Sequence, residues 1–211
     1  MNRPDRSLPR IGLVRHGATA WSLASRYQGR ADPPLCPQGH AEAARLATHA
    51  AGLAVSLIVS SPLRRARETA ACLAARCALP APEVDDGLSE LDYGSWEGKT
   101  QAEIKAVWPE QMREWKRNPT NFTFPGGESL DQAQRRVTAS LARWQDAEAV
   151  QTILLVTHSG WIRLAWLSLT GQSLASFRSI KILTGSLIWL NDHRRGDAQT
   201  DSIGEVFSCA L

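Results

Sequence analysis

The chain is short of several things, and each shortage closes off a class of explanation. Its 211 residues hold four cysteines, Cys36, Cys72, Cys77 and Cys209, at irregular spacings with no Cys-x-x-Cys pair. That pattern gives no disulfide framework, and a chain long enough to bury a core as one domain needs none. Reduced thiols in the cytoplasm are the expectation. Excess charge is missing too: 24 Lys and Arg against 21 Asp and Glu leave a formal +3, too little to mark a nucleic-acid or membrane surface. No apolar stretch follows the charged start Met1-Asn2-Arg3-Pro4-Asp5-Arg6, and the most apolar later run is interrupted by Arg163. Neither export nor a membrane span is expected. The first apolar run opens into no Gly-x-Gly-x-x-Gly turn, which argues against a dinucleotide-binding domain. No close His/Asp/Glu cluster has ligand spacing, so neither metal nor cofactor is expected.

What remains is 43% hydrophobic and 21% charged, without internal repeats or low-complexity tracts, and reads as one domain over 1–211. Continuous apolar runs alternate with helix-period segments. This is the pattern of an α/β sandwich, three layers deep, whose mostly parallel central sheet is covered by helices on both faces. Strands are predicted at 11–15, 55–60, 151–157 and 186–191. A further one at 203–209 would form an antiparallel edge. A helix is predicted from Pro37-Gln38-Gly39 to Gly52, and another from Ser61 as N-cap and Pro62 as first helical residue to a stop at Pro80. Thr100-x-x-Glu103 and Ser129-x-x-Gln132 fit the capping box, and Leu130, Ala133, Val137, Leu141 and Trp144 form one apolar stripe. Between 95 and 127 the chain is rich in Trp, Pro and charge, and reads as a lid-like insertion.

Two apolar runs end in histidine. Gly12-Leu13-Val14-Arg15-His16-Gly17 sets an arginine beside a histidine at a glycine turn, and Ile153-Leu154-Leu155-Val156-Thr157 ends in His158-Ser159-Gly160. Neutral imidazole can attack phosphorus, while a guanidinium fork matches two phosphate oxygens and disfavours imidazolium nearby. The small residues after each histidine are expected to leave backbone N–H groups free for an anion. Arg65, in Ser61-Pro62-Leu63-Arg64-Arg65-Ala66, supplies a second fork, with Arg64 and Arg67 read as surface charges. His40, His49 and His193 read as ordinary.

With these residues the chain resembles the histidine phosphatase superfamily, which holds cofactor-dependent phosphoglycerate mutases, fructose-2,6-bisphosphatase and α-ribazole phosphatase. The likeness covers nearly the whole chain and is nearest to the α-ribazole and broad phosphatase branch. It runs through Leu13-Val14-Arg15-His16-Gly17, Trp21 to Gly39, Ser61 to Ala66, Leu88-Ser89-Glu90-Leu91-Asp92-Tyr93-Gly94, Pro125-Gly126-Gly127-Glu128-Ser129 and Val156-Thr157-His158-Ser159-Gly160. The resemblance implies a phosphoglycerate mutase-like fold and hydrolysis of a phosphomonoester through a phosphohistidine on His16. It implies that Arg15, Arg65 and His158 hold the transferring oxygens, that Glu90 protonates the leaving alkoxide, and that Ser22, Gln28, Gly29 and Ser159 meet substrate. Asp92, Glu97 and Glu128 are rivals for the acid.

The family often has asparagine where Ser22 stands and glycine where Ser159 stands, which puts substrate positioning in doubt. A mutase must grip a second anion, and Asp92 is expected to repel one, so hydrolysis is preferred over phosphoglycerate mutation. A silent phospholigand-binding protein is a weaker alternative. Trp21, Trp96 and Trp161 flank motif blocks and either stack an aromatic leaving group or, as preferred, pack the core. The partner is a small phosphorylated metabolite, such as α-ribazole phosphate or a sugar phosphate. Oligomeric state is open, a homodimer included.

Overall fold

The computed structural model describes residues 9–147 and 150–190 and the backbone of 206–207. Strand β1 (Arg10–Arg15) leads through one helical turn, α1 (Ala20–Leu23), to α2 (Pro37–Ala50), β2 (Leu57–Ser60), α3 (Arg64–Arg76) and β3 (Glu83–Val84). Helices α4 (Gln101–Val107), α5 (Pro109–Arg117) and α6 (Leu130–Gln145) follow, then β4 (Thr152–Thr157), α7 (Ser159–Thr170), β5 (Leu187–Leu190) and β6 (Val206–Phe207).

The sheet runs in the order β3-β2-β4-β1-β5-β6. β4 is parallel to both β2 and β1, and β3 is parallel to β2. The edge strand β6 is antiparallel to β5, as expected, and β5 is itself antiparallel to β1. Every residue of β4 is buried, which explains a continuous apolar run where a one-sided sheet would alternate. Side chains alternate between two cores. Ile11, Leu13, Ile153 and Leu155 pack towards α6 and α7, whereas Val14, Leu154 and Val156 pack towards α2 and α3. Burying each such side chain contributes about 1.5–3 kcal/mol. The stripe on α6 is buried as predicted, and the Trp144 indole N–H donates to Asp85 Oδ2 at 2.7 Å.

The capping boxes at Thr100 and Ser129 form as read. Other boundaries move. Helix α2 ends at Ala50, short of Gly52. Helix α3 begins at Arg64, capped by Leu63 without a side-chain bond, and ends at Arg76 rather than Pro80. Ser61 lies two residues before the cap; its N–H donates to Val156 O, and its hydroxyl meets His158 Nε2 at 2.8 Å and accepts from Leu63 N at 3.3 Å. The turn after α3 closes at Ala78, with φ 53°. The two-residue β3 is too short to show periodicity. The segment 95–127 holds α4 and α5 and packs through aromatic rings: Trp96 on Phe124 at 5.3 Å, Trp115 on Phe124 at 4.9 Å and Trp115 on Phe177 at 5.9 Å between centroids. Only 206–207 of the predicted strand 203–209 are described, and His193 and Cys209 lie outside the described residues.

Candidate active site

Sheet register brings the two histidines together. Arg15 pairs with Thr157 across β1 and β4, so the next residue on each strand is a histidine. His16 N–H donates to Thr157 O at 3.0 Å, and the imidazole centroids stand 5.1 Å apart. Ser60 pairs with Val156, which sets Ser61 beside His158. Three parallel strands thus present their carboxyl ends to one crevice, where open α/β sheets place ligands.

His16 Nδ1 lies 2.7 Å from Gly17 O, and a carbonyl only accepts, so Nδ1 carries the proton. The other ring nitrogen, Nε2, holds the lone pair and accepts from Arg65 Nε at 3.2 Å. Burial, then Arg65, then Arg15 hold the His16 pKa well below the ordinary histidine value, with the Gly17 bond pulling the other way. Burial and the same cations, with His16, do likewise for His158. Both rings are neutral at neutral pH, and a neutral imidazole is a nucleophile.

Arg65 is fully buried, and its remaining bonds go to Ala31 O at 2.7 Å and Gly29 O at 2.8 Å. Its neighbour Arg64 is exposed and pairs with Glu68. Arg15 donates to Ile182 O, while its Nε is buried with no partner among the described residues. Burial lowers its pKa to about 10, against the raising influence of Glu90, so it stays charged. His158 Nε2 lies 2.8 Å from Ser61 Oγ, and its Nδ1, like Arg15 Nε, is buried without a partner among the described residues. The Arg15 Nε–H suits an oxyanion, and so does His158 Nδ1 in the tautomer that places the proton there.

Glu90 sits on the N-terminus of α7. Its carboxylate accepts from Leu91 N at 3.0 Å, Gly160 N at 3.2 Å and Trp161 N at 3.2 Å. A Cβ on Gly160 would stand 2.4 Å from Glu90 Oε1, so only glycine admits this approach. The loop carrying Glu90 is stapled by Arg136 of α6, which donates to Ser89 O at 2.7 Å, Gly87 O at 3.1 Å and Glu90 O at 3.3 Å, and pairs with Glu128 at 2.8 Å.

A cavity of about 310 Å³ opens above His16, with Arg15, Ser22, Gln28, Glu90 and Ser159 on its walls. Arg65 and His158 stand behind His16 rather than on the walls. Gly29 is not a wall residue either. Its φ is +54°, a Cβ there would collide with Glu97, and its carbonyl orients Arg65. Ser22 faces the cavity, but its hydroxyl donates to Thr19 O at 2.9 Å in a capping box. Gln28 Oε1 accepts from Thr19 Oγ1 at 3.0 Å, which leaves the amide nitrogen as its donor.

The rival carboxylates are spent elsewhere. Glu97 accepts from Arg30 N and Ala31 N at 2.7 Å, Glu128 from Asp92 N at 2.8 Å, and Asp92 from Gly94 N at 2.9 Å. Asp92 is not on the cavity wall, so the expected repulsion of a second anion has no structural basis. Four of the backbone N–H groups after the histidines are used by the protein: Gly17 donates to Thr69 Oγ1, Ala18 to Glu42, and Gly160 and Trp161 to Glu90. Buried amides must pair, and the nearest acceptors belong to the protein. Trp96 and Trp161 are fully buried in the core, and the aromatic wall is instead Tyr27, Tyr93, Trp115 and Phe177. Ser61 and Arg26 fall inside motif blocks without a role having been read for them, whereas Arg136, Arg163 and Arg178 lie outside the blocks.

The sequence model of the histidine phosphatase superfamily (branch 1) matches residues 11–202. The chain belongs to that superfamily. It is 34% identical over 167 residues to phosphoserine phosphatase 1 of Hydrogenobacter thermophilus, covering 79% of each chain. Among solved structures it superposes on a putative α-ribazole-5'-P phosphatase of Escherichia coli with a TM-score of 0.79 at 27% identity, covering 88% of this chain and 92% of the other. It superposes equally, with a TM-score of 0.79, on a mycobacterial glucosyl-3-phosphoglycerate phosphatase at 31% identity, covering 88% and 94%. Among the described residues no helix is long and apolar enough to cross a membrane.

Proposed function

We propose that this histidine phosphatase superfamily member hydrolyses small phosphomonoesters through a phosphohistidine on His16. One observation carries the reading: a neutral imidazole at the cavity, whose proton is fixed on Nδ1 by Gly17 O and whose Nε2 lone pair faces Arg65. Nε2 attacks phosphorus, the P–O ester bond breaks, and Glu90 gives its proton to the departing alkoxide. Water then gives a proton to the Glu90 carboxylate and attacks phosphorus, the P–N bond breaks, and inorganic phosphate leaves. Arg15, Arg65 and His158 hold the equatorial oxygens. Ser61 donating to His158 Nε2 leaves Nδ1–H as the donor to phosphate. Catalysis here is mostly placed charge.

The test is phosphate release by the purified protein in chelator, against α-ribazole phosphate, O-phosphoserine, 3-phosphoglycerate with and without a bisphosphate primer, and an aryl phosphate. Release without metal or primer is expected, with an acid-labile phosphoenzyme absent from His16→Ala. Isomerisation that requires primer would replace the reading with a mutase. Asp92 turning away from the cavity keeps that second reading in play.

A further inference from the structure

We infer that Glu97 is a positioning residue for phosphoryl transfer: through the backbone of Gly29, Arg30 and Ala31 it fixes where the Arg65 guanidinium stands against the His16 lone pair. The inference deepens the hydrolase reading and rests on it for what Arg65 does to the phosphate.

Arg65 is buried and keeps its charge, yet its bonds among the described residues go to His16 Nε2, Ala31 O and Gly29 O, none of them charged. A cation held by carbonyls is placed only as well as those carbonyls are. Glu97 grips them from the other side. Its Oε1 accepts from Arg30 N and its Oε2 from Ala31 N, each at 2.7 Å, and Oε1 also accepts from Tyr93 N at 3.3 Å. Gly29 C=O and Arg30 N–H are the two ends of one peptide unit, and a trans unit points them in opposite directions. Carboxylate and guanidinium therefore face each other across a single peptide, with Glu97 on the Arg30 N–H and Arg65 Nη2 on the Gly29 oxygen at 2.8 Å. The carboxylate polarises that unit and makes its oxygen the stronger acceptor.

Burial lowers the Arg65 pKa, and Glu90, Asp32 and Glu97, in that order, oppose it. Asp32 accepts from Arg64 N at the start of α3, and Glu90 is held by Leu91 and the first amides of α7. Glu97 is the one of the three whose bonds reach the peptides that hold Arg65. Its own seat is firm. It ends the 3₁₀ turn Gly94–Trp96, whose Trp96 is fully buried, and beyond it Gly98 N donates to Tyr27 O at 2.8 Å and Lys99 O accepts from Tyr27 N at 3.0 Å. The segment 95–127 thus supports the cavity floor as well as lining its wall.

The experiment follows the His16 imidazole by NMR titration, together with kcat/KM on an aryl phosphate, in the wild type, Glu97→Gln and Glu97→Asp, each also combined with Arg65→Lys. After burial, Arg65 and then Arg15 depress the His16 pKa, so a guanidinium that drifts away lets it rise. Loss of the Glu97 charge alone would lower it, and the sign separates the two causes. In Glu97→Gln the His16 pKa is expected to rise by about 0.5–1 pH unit and kcat/KM to fall about 10–100-fold, with Glu97→Asp recovering part of both. In the Arg65→Lys background Glu97→Gln should cost less than about 3-fold, because the group it acts through is gone. A His16 pKa that stays or falls, or equal losses in both backgrounds, overturns the positioning role while leaving the hydrolase reading intact. If no ester is hydrolysed, the hydrolase reading fails instead, and the His16 titration alone decides the role of Glu97. Circular dichroism confirms that each variant is folded, and should Glu97→Gln not fold, Glu97→Asp carries the same comparison.

Discussion

The floor of the cavity and its outer wall are built on different rules. On the floor, β1, β2 and β4 end side by side, and sheet register alone places His16, Ser61 and His158. Arg65 has its Nε on His16 and both other nitrogens on carbonyls, and Glu90 is held by three amides. The wall comes from α7, from the segment 95–127 and from the 3₁₀ turn Leu174–Arg178, and its Arg163 and Arg178 have few protein partners. Side chains whose donors are all spent are placed accurately, and a ligand engages them only by displacing a protein partner. Those with unspent donors discriminate between ligands. On the proposed mechanism chemistry belongs to the floor, and the wall is left to meet the rest of the ligand.

Substitutions test that division in descending order of effect. His16→Ala should lower kcat by about 10⁴-fold or more on every ester while the unfolding midpoint in urea stays or rises. Dependence on the ester would move His16 from the chemistry to the wall. Glu90→Gln should cost alkyl esters about 10²–10³-fold and aryl phosphates less than about 10-fold, since a good leaving group needs no acid. Equal losses on both would end its assignment as the acid.

Acid should loosen the floor. His16 and His158 have folded pKa values well below 6.5. As pH falls through about 6.5 the unfolded chain binds protons there and the folded chain does not, so stability declines from that point down to the folded values. The slope is about 1.4 kcal/mol per pH unit for each histidine. Urea midpoints at pH 7 and 5.5 measure it, and His158→Gln should remove one histidine's share. Ser61→Ala should reduce kcat about 10-fold and alter the pH profile by freeing the His158 tautomer, with Ser61→Thr restoring both. Arg64→Ala, one residue from Arg65 but outside the cavity, should change stability by less than about 0.5 kcal/mol and leave turnover unaltered, because its pair with Glu68 is exposed.

Local features were legible in the sequence. The apolar runs of β1 and β4, the histidines that end them and the capping boxes of α4 and α6 each depend on a few consecutive residues, and each sits where it was read. What depends on register was not. Ser61 and Pro62 have the local grammar of a helix start, yet pairing with β4 pulls Ser61 to His158 and delays α3 by two residues. Arg136 reads as a helix-surface charge until α6 packs over the Glu90 loop. Asp92 seemed placed to repel anions because it is near Glu90 in sequence, but its carboxylate turns back to Gly94. Trp96 and Trp161 went into the core, Trp21 is half-buried outside it, and Trp115, beside no motif, reached the wall.

Because Arg65 Nε sits on the His16 lone pair, the reactive nitrogen is sheathed until something else claims that guanidinium. An incoming phosphate is the group best able to do so, and under the proposed mechanism its binding would uncover the atom that attacks it. Chance electrophiles, lacking two negative oxygens with which to draw the arginine away, meet a blunted nucleophile. On the proposed mechanism recognition and reactivity are thereby interlocked, and the resting protein is guarded by the side chain assigned to stabilise the transition state.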